Sequence, residues 1–225
     1  SDLIADDQAR AIDVNELRDN FSVAAAGSPW GQHDQLMVCP NMRACAIYLR
    51  QSDWKVLEEI VEKLLSDRRI DQVIWQTPAD SGTFHHHVAT ADRGRLEFWR
   101  AGTDPPQGRD VFANTWRWRG NLTALGGELS GDQLLTFPEY PNAMERVAHS
   151  FPHPSGGDVW ITCRPGHEFE LPDTTVHQAG SHGSLHALDS TAPLIAAGLP
   201  EQVQLPEHLR TIDVADLCLA VLESA

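Results

Sequence analysis

The stretch Gly180-Ser181-His182-Gly183-Ser184-Leu185-His186, running on to Ala192-Pro193-Leu194-Ile195-Ala196-Ala197-Gly198, constrains this chain more than any other. Glycine lets the backbone turn sharply and approach a ligand closely. The apolar run after it has the length and composition of a buried strand. A glycine-flanked histidine on a loop beside a core strand is a usual place for chemistry in α/β enzymes. His177, His182 and His186 lie close together in sequence, and neutral imidazole is the commonest metal ligand. The same residues also suit a solvated Gly/Ser turn, and spacing alone does not choose between the two.

A chain of 225 residues is long enough for one large domain or two small ones with a sizeable core. Its 32 acidic residues against 17 basic ones give a net charge of -15. No basic field is present to displace counterions, so neither nucleic acid nor an anionic membrane is an expected partner. No apolar run approaches the ~18 residues of a membrane span. The acidic opening, Ser1 to Asp7, lacks the pattern of a signal peptide. Cys39, Cys45, Cys163 and Cys218 form no C-x-x-C pair. Their contexts suggest buried free thiols in a reducing, cytoplasmic setting. The chain does not open on methionine, which leads us to expect a processed form or a piece of something longer.

The clearest helix is expected after Ser52 or Asp53, either of which suits an N-cap. Val56, Ile60, Val61, Leu64 and Leu65 form one apolar stripe, and the helix should end near Arg68 and Arg69. Asp13 is expected to cap a short helix over 14–19, and Phe21 to Ala26 to form a strand. Leu36 to Cys39 and Ala44 to Leu49 read as a hairpin around Pro40-Asn41-Met42-Arg43. Asp71 to Trp75 reads as a strand. Phe84 to Thr90 and Arg95 to Arg100 read as a second hairpin. In a strand only His85 and His87 of the His85-His86-His87 run share a face, and no adjacent carboxylate is evident, so a metal is not expected there. Trp116-Arg117-Trp118-Arg119 suits an edge strand better than a nucleic-acid stacking surface on so acidic a chain.

Further on, residues 140–150 suit a short helix with Pro141 near its start. Asp158 to Cys163 has the look of a buried strand, 192–197 of another, and 211–223 of a helix with Ile212, Ala215, Leu219 and Leu222 on one face. The alternation of helices and strands implies an α/β fold with a parallel sheet. Three parts are expected: a connecting segment over 1–35, an auxiliary α/β segment with hairpins over 36–140, and a C-terminal α/β core segment over 141–225 that carries the glycine-histidine loop.

Three blocks then carry a resemblance: Gly180 to Leu185, Asp189 to Gly198, and Arg210-Thr211-Ile212-Asp213-Val214-Ala215-Asp216-Leu217. In this order and spacing they resemble the C-terminal signature of the alkaline phosphatase superfamily, in its type I phosphodiesterase/nucleotide pyrophosphatase branch. There a Gly-x-His-Gly loop supplies a metal-ligand histidine, an apolar strand follows, and an Arg-Thr-x-Asp block starts a helix. The resemblance implies the C-terminal part of a three-layer α/β/α sheet, joined here to a smaller α+β hairpin-containing segment. It also implies two metal ions, usually zinc, about 4 Å apart, clamping the attacking and leaving oxygens of a phosphate ester or nucleotide.

Of the family's ligands only the last maps cleanly, onto His182. Asp173 and His177 have the Asp-x-x-x-His spacing of another ligand pair, but stand in the wrong order relative to His182. His167 and His186 are weaker candidates. No Asp-His-Gly motif and no early Asp-Gly strand end before a nucleophile occur in the chain. The resemblance therefore implies a C-terminal portion, inactive alone, whose partner is the N-terminal half of the same protein. Two other readings stand beside it. One is a non-catalytic binding or structural module derived from that fold. The other is a simple metal-binding protein using His85, His87, His177, His182 and His186.

Overall fold

The computed structural model describes residues 11–51, 53–79, 82–151, 153, 156–170 and 180–224. The fold is mixed α/β, built on one large and mostly antiparallel sheet with few helices. Its strands are β2 (Val23–Ala24), β3 (Leu36–Asn41), β4 (Ala44–Leu49), β5 (Ile70–Pro78), β6 (Phe84–Ala89), β7 (Arg95–Arg100), β8 (Gly108–Asp110), β9 (Thr115–Gly120), β10 (Glu128–Leu129), β11 (Leu134–Thr136) and β12 (Val159–Cys163). They lie in the order β10-β11-β8-β9-β7-β6-β5-β12-β4-β3-β2. A separate parallel pair joins β1 (Ala11–Asp13) to β13 (Glu168–Glu170).

The hairpins follow from local chemistry. Strands β3 and β4 meet around Met42, whose φ of +56° closes the two-residue turn. Strands β5, β6 and β7 form a meander in antiparallel register. Strand β12 arrives from far along the chain and inserts between β4 and β5, antiparallel to both. Its Val159, Ile161 and Cys163, alternate residues on one face, are fully buried.

Two cores lie against the sheet. Helix α1 (Trp54–Leu65) buries Leu57, Ile60, Val61 and Leu64 against Leu36, Ile47, Val73, Trp75 and Ile161. Asp53 caps it by accepting from the Lys55 backbone N–H at 2.9 Å, and the helix closes at Ser66, short of Arg68 and Arg69. Helix α2 (Ala143–Ser150) buries Met144 and Val147 in a second core with Ile74, Val88, Phe98, Trp116 and Leu185. Adjacent residues of β5, Val73 and Ile74, enter opposite cores because side chains alternate along a strand.

Three expectations change. The parallel sheet is not what the described residues form, because β12 and its neighbours are antiparallel. Trp116 to Arg119 belong to β9, which lies between β7 and β8 and is no edge. Residues 192–197 form no strand: they run exposed, with Ile195 88% exposed. Apolar composition signalled burial there, but none of the described strands pairs with this segment. The expected final helix is present as one turn of 3-10 helix over Thr211–Asp213 followed by α3 (Val214–Glu223), yet none of its residues is buried. Among the described residues no helix is long and apolar enough to cross a membrane.

Candidate functional site

The glycine-histidine loop sits on the tip of the β3–β4 hairpin. The Arg43 backbone N–H donates to the His182 carbonyl at 3.2 Å. Gly183 has a φ of +118°, and a Cβ there would stand 3.3 Å from the Asn41 carbonyl oxygen. A residue with a side chain would be strained by the φ and crowded by the turn, so glycine is what permits the close approach. The hairpin tip also binds the neighbouring strand β12 and the separate β1–β13 pair: the Cys163 N–H donates to the Arg43 carbonyl and the Phe169 N–H to the Met42 carbonyl.

Beneath the loop the Arg43 guanidinium donates through Nη1 to Asp189 Oδ1, with side chains only 7% and 1% exposed. The other carboxylate oxygen of Asp189 accepts from the Ser184 hydroxyl and from its backbone N–H at 3.0 Å. Arg146 on α2 donates to the Leu185 carbonyl at 2.8 Å and the Ser184 carbonyl at 3.2 Å. Burial pulls the Arg146 pKa below its ordinary value, and the nearby Asp189 carboxylate opposes part of that shift. Leu185 itself is buried in the α2 core. The His182, Ser184 and Leu185 carbonyls and the Ser184 N–H are thus met by Arg43, Arg146 and Asp189, which fixes a loop that sequence alone would leave free.

His182 emerges from this base exposed to solvent. His186 does a different job. Its Nδ1 accepts from the Leu188 N–H at 3.2 Å, capping the helical turn Ala187–Ser190, and its ring meets Tyr140 edge-on at 5.5 Å. With Nδ1 engaged by the turn and the ring packed on Tyr140, His186 plays a structural part. His167 lies in the turn before β13 and is half-buried. Asp173 and His177 lie outside the described residues.

His85 and His87 do share a sheet face, but each is engaged separately. His85 Nδ1 lies 2.6 Å from Glu97 on the neighbouring strand, and its ring stacks on Trp99 at 4.4 Å. His87 Nε2 lies 2.8 Å from the Thr77 hydroxyl, and its ring stacks on Trp75. The carboxylate that the sequence did not show is Glu97, brought beside His85 by the β6–β7 register.

The Arg210-Thr211-Ile212-Asp213 block also acquires a physical role. Arg210 Nη2 bonds Asp213 at 2.6 Å, and its backbone N–H donates to the same carboxylate at 2.8 Å. The guanidinium bridges to Glu145 on α2 at 2.9 Å and covers the Phe112 ring at 4.6 Å. Burial pushes the Glu145 pKa up, but hydrogen bonds from Asn142 and Arg210 outweigh it, and the net shift is down. The block starts the last helix and ties it to α2.

Zinc was the cofactor implied by the resemblance. Among the described residues no three His, Cys, Asp or Glu side chains converge as a metal would require. His182 presents one imidazole where a catalytic zinc takes three protein ligands. The described donor set does not fit a zinc ion by itself. The loop offers a single positioned imidazole, able to accept a metal or a proton as one member of a larger set.

Comparison of the chain with protein-family models, with curated proteins and with solved structures finds no match.

Proposed function

We propose that this chain is the C-terminal portion of a metal-dependent hydrolase resembling the phosphodiesterases and nucleotide pyrophosphatases of the alkaline phosphatase superfamily. Its contribution is one metal-ligand imidazole, His182, with zinc as the metal and a small phosphate ester or nucleotide as the substrate class. The observation that supports this reading best is the contrast within the loop. Arg43, Asp189, Ser184 and Arg146 fix its backbone, while the one imidazole standing in solvent between two glycines is His182. Fixing a loop to present one exposed ligand is the kind of preorganisation a metal site needs. The finer α/β/α architecture of the intact hydrolase, in which 192–197 is a strand, belongs to this proposal. So do the N-terminal half as partner and a reducing, cytoplasmic location, which the four free cysteines favour.

Lone, the chain should turn over p-nitrophenyl phosphate esters negligibly, because it lacks a nucleophile with its activating metal. The test is hydrolysis of bis(p-nitrophenyl) phosphate with added zinc, by this chain and by the full polypeptide of its reading frame. The full polypeptide should be active and lose about 100-fold or more on His182→Ala. Undiminished turnover in His182→Ala removes the assignment, and zinc-dependent turnover by this chain alone removes the expectation of a missing half.

A second reading is a non-catalytic binding module. The large exposed apolar stretch after residue 187 favours it. A reading frame with no upstream Asp-His-Gly and no nucleophile would select it.

A further inference from the structure

The β3–β4 hairpin carries the His182 loop at its tip and a cavity of about 310 Å³ at its other end. The length of β3 separates the two, about 20 Å. The cavity lies between residues 32–35, which lead into β3, and Arg50 and Gln51, which leave β4; Asp53 and Val56 at the start of α1 complete it. Its volume is at the lower end of the ~300–1,000 Å³ of small-molecule sites.

The lining is unusual for such a site. Ligand pockets are mostly apolar, but here Val56 is the one apolar residue. The others are three glutamines, a histidine, an arginine and two aspartates. Walls of this kind favour a ligand that carries many hydrogen-bonding groups over an apolar one.

The charged members are already committed to holding the walls. The Arg50 N–H donates to the Gln35 carbonyl at 2.9 Å, and its guanidinium donates to the Gly31 carbonyl. The Gly31 N–H donates to Asp34 Oδ2 at 2.5 Å. A Cβ on Gly31 would stand 2.8 Å from that same oxygen, so glycine is what lets the loop close on Asp34. Asp53 accepts from the Lys55 N–H that it caps. Among the described residues the side chains of Gln32, His33 and Gln51 have no hydrogen-bond partner. Two amides and an imidazole are thus left to meet a ligand, and each both donates and accepts.

Aromatic surface stands on both segments that wall the cavity. Trp30 directly precedes Gly31 and is 38% exposed; Trp54 directly follows Asp53 and is 55% exposed. Of the seven tryptophans in the chain these two are the exposed ones. An indole left in water offers a flat apolar face with a polar edge. A molecule that matches amides on one side and indole on the other has a hydroxyl-bearing edge and a flat face of C–H groups. That is a pyranose ring. The net charge of -15 works against an anionic ligand, and the paired aspartates and arginine leave no unmatched charge for an ionic one.

We propose that this cavity is a saccharide-binding site for one or two neutral pyranose units. Gln32, His33 and Gln51 bond the hydroxyls, and Trp30 and Trp54 pack on the ring faces. The site binds and does not hydrolyse, and no residue of the His182 loop takes part, so it stands or falls apart from the hydrolase reading. A free disaccharide and the end of a polysaccharide chain offer the same chemistry, and the experiment separates them.

Isothermal titration of this chain with maltose, cellobiose and N,N′-diacetylchitobiose tests the free sugar; co-sedimentation with insoluble starch, cellulose and chitin tests the polymer. At least one disaccharide should bind with a Kd of about 1 mM or tighter and change the tryptophan fluorescence saturably. Retention on a polymer without binding of its disaccharide keeps the site and assigns it to chains. Trp54→Ala should weaken binding about tenfold or more and Gln51→Ala about threefold or more. Both side chains are exposed, so neither change should move the melting temperature. Phe84→Ala, an exposed aromatic on β6, should leave the affinity unaltered. Binding of none of the six probes overturns the proposal. So does binding that Trp54→Ala and Gln51→Ala leave intact, which would place the sugar elsewhere. Binding of inorganic phosphate or AMP that the same two variants abolish would mean an anion site and overturns it too.

Discussion

Arg43 and Asp189, 146 residues apart in sequence, form an ion pair that is almost wholly withdrawn from water. The pair joins the tip of the β3–β4 hairpin to the loop that presents His182. Among the described residues Arg43 Nε and Nη2 are buried without hydrogen-bond partners, so the pair is imperfectly compensated there. Removing the carboxylate alone strands a buried cation. Asp189→Ala should therefore destabilise the fold by about 3–5 kcal/mol, whereas Arg43→Met combined with Asp189→Leu should cost far less, because neither leaves a bare charge. Urea unfolding of Asp189→Ala and of the double variant measures this. A double variant as unstable as Asp189→Ala would show that the loss lies in packing and not in the stranded charge.

Gly183 is the backbone counterpart of that pair. At a φ of +118° with a would-be Cβ 3.3 Å from the Asn41 carbonyl, alanine meets both torsional strain and crowding. Gly183→Ala should cost about 1–3 kcal/mol. Gly180, with open space where its Cβ would stand and no positive φ, should accept alanine with little change. Thermal unfolding of the two variants side by side separates a glycine that the turn requires from one that it does not.

What the sequence disclosed was local. The stripe from Val56 to Leu65 located α1 because a helix reports its buried face every three or four residues. Alternation and turn residues located the β3–β4 and β6–β7 hairpins, whose partners are neighbours in the chain. What it did not disclose was any pairing across long separations. Strand β12 was legible as a buried strand, but its place between β4 and β5 is set by contacts with residues about a hundred positions earlier. Glu97 beside His85 depends on register, which composition does not encode. Arg43 looked like turn material because nothing near it announces an aspartate at 189. Residues 192–197 misled in the opposite way. Apolar composition marks a segment that requires burial, and here the described residues do not provide it.

A buried polar cluster gives a third prediction. The Tyr140 hydroxyl donates to Asp71 Oδ2 at 2.9 Å, and Arg93 pairs with the other oxygen of that carboxylate at 2.6 Å. Asp71 lies on β5 with its side chain 2% exposed, so its hydrogen bonds are not replaced by water. Burial and the neighbouring Asp71 charge push the Tyr140 pKa up, which keeps the phenol protonated and donating. Tyr140→Phe should cost about 1.5–3 kcal/mol, the range for a hydrogen bond to a charged group. Chemical denaturation should show that loss with the slope in denaturant unchanged. A cost under about 0.5 kcal/mol, the scale of an ordinary surface substitution, would mean that Arg93 alone satisfies Asp71.

The last prediction concerns acid. His86 faces the α2 core, packs on Phe98 with ring centroids 5.2 Å apart, and has a buried Nδ1 without a hydrogen-bond partner among the described residues. Burial, reinforced by the nearby His87, His85, Arg100 and His149, brings its pKa down from 6.5 to about 4. An unfolded chain takes up this proton near pH 6.5, while the folded protein resists it until about pH 4. Between those values the unfolded state binds more protons, so stability rises with pH and falls on acidification. Above pH 6.5 His86 is neutral in both states and contributes no slope. The accumulated loss at the acid end is on the order of 3 kcal/mol. His87 is shifted down as well, chiefly by burial, and adds in the same sense. His86→Leu should flatten the stability profile between pH 6.5 and 4 and leave its shape above that window unaltered. Urea midpoints taken across the range decide it: an equally steep decline in His86→Leu would assign the acid sensitivity to other groups.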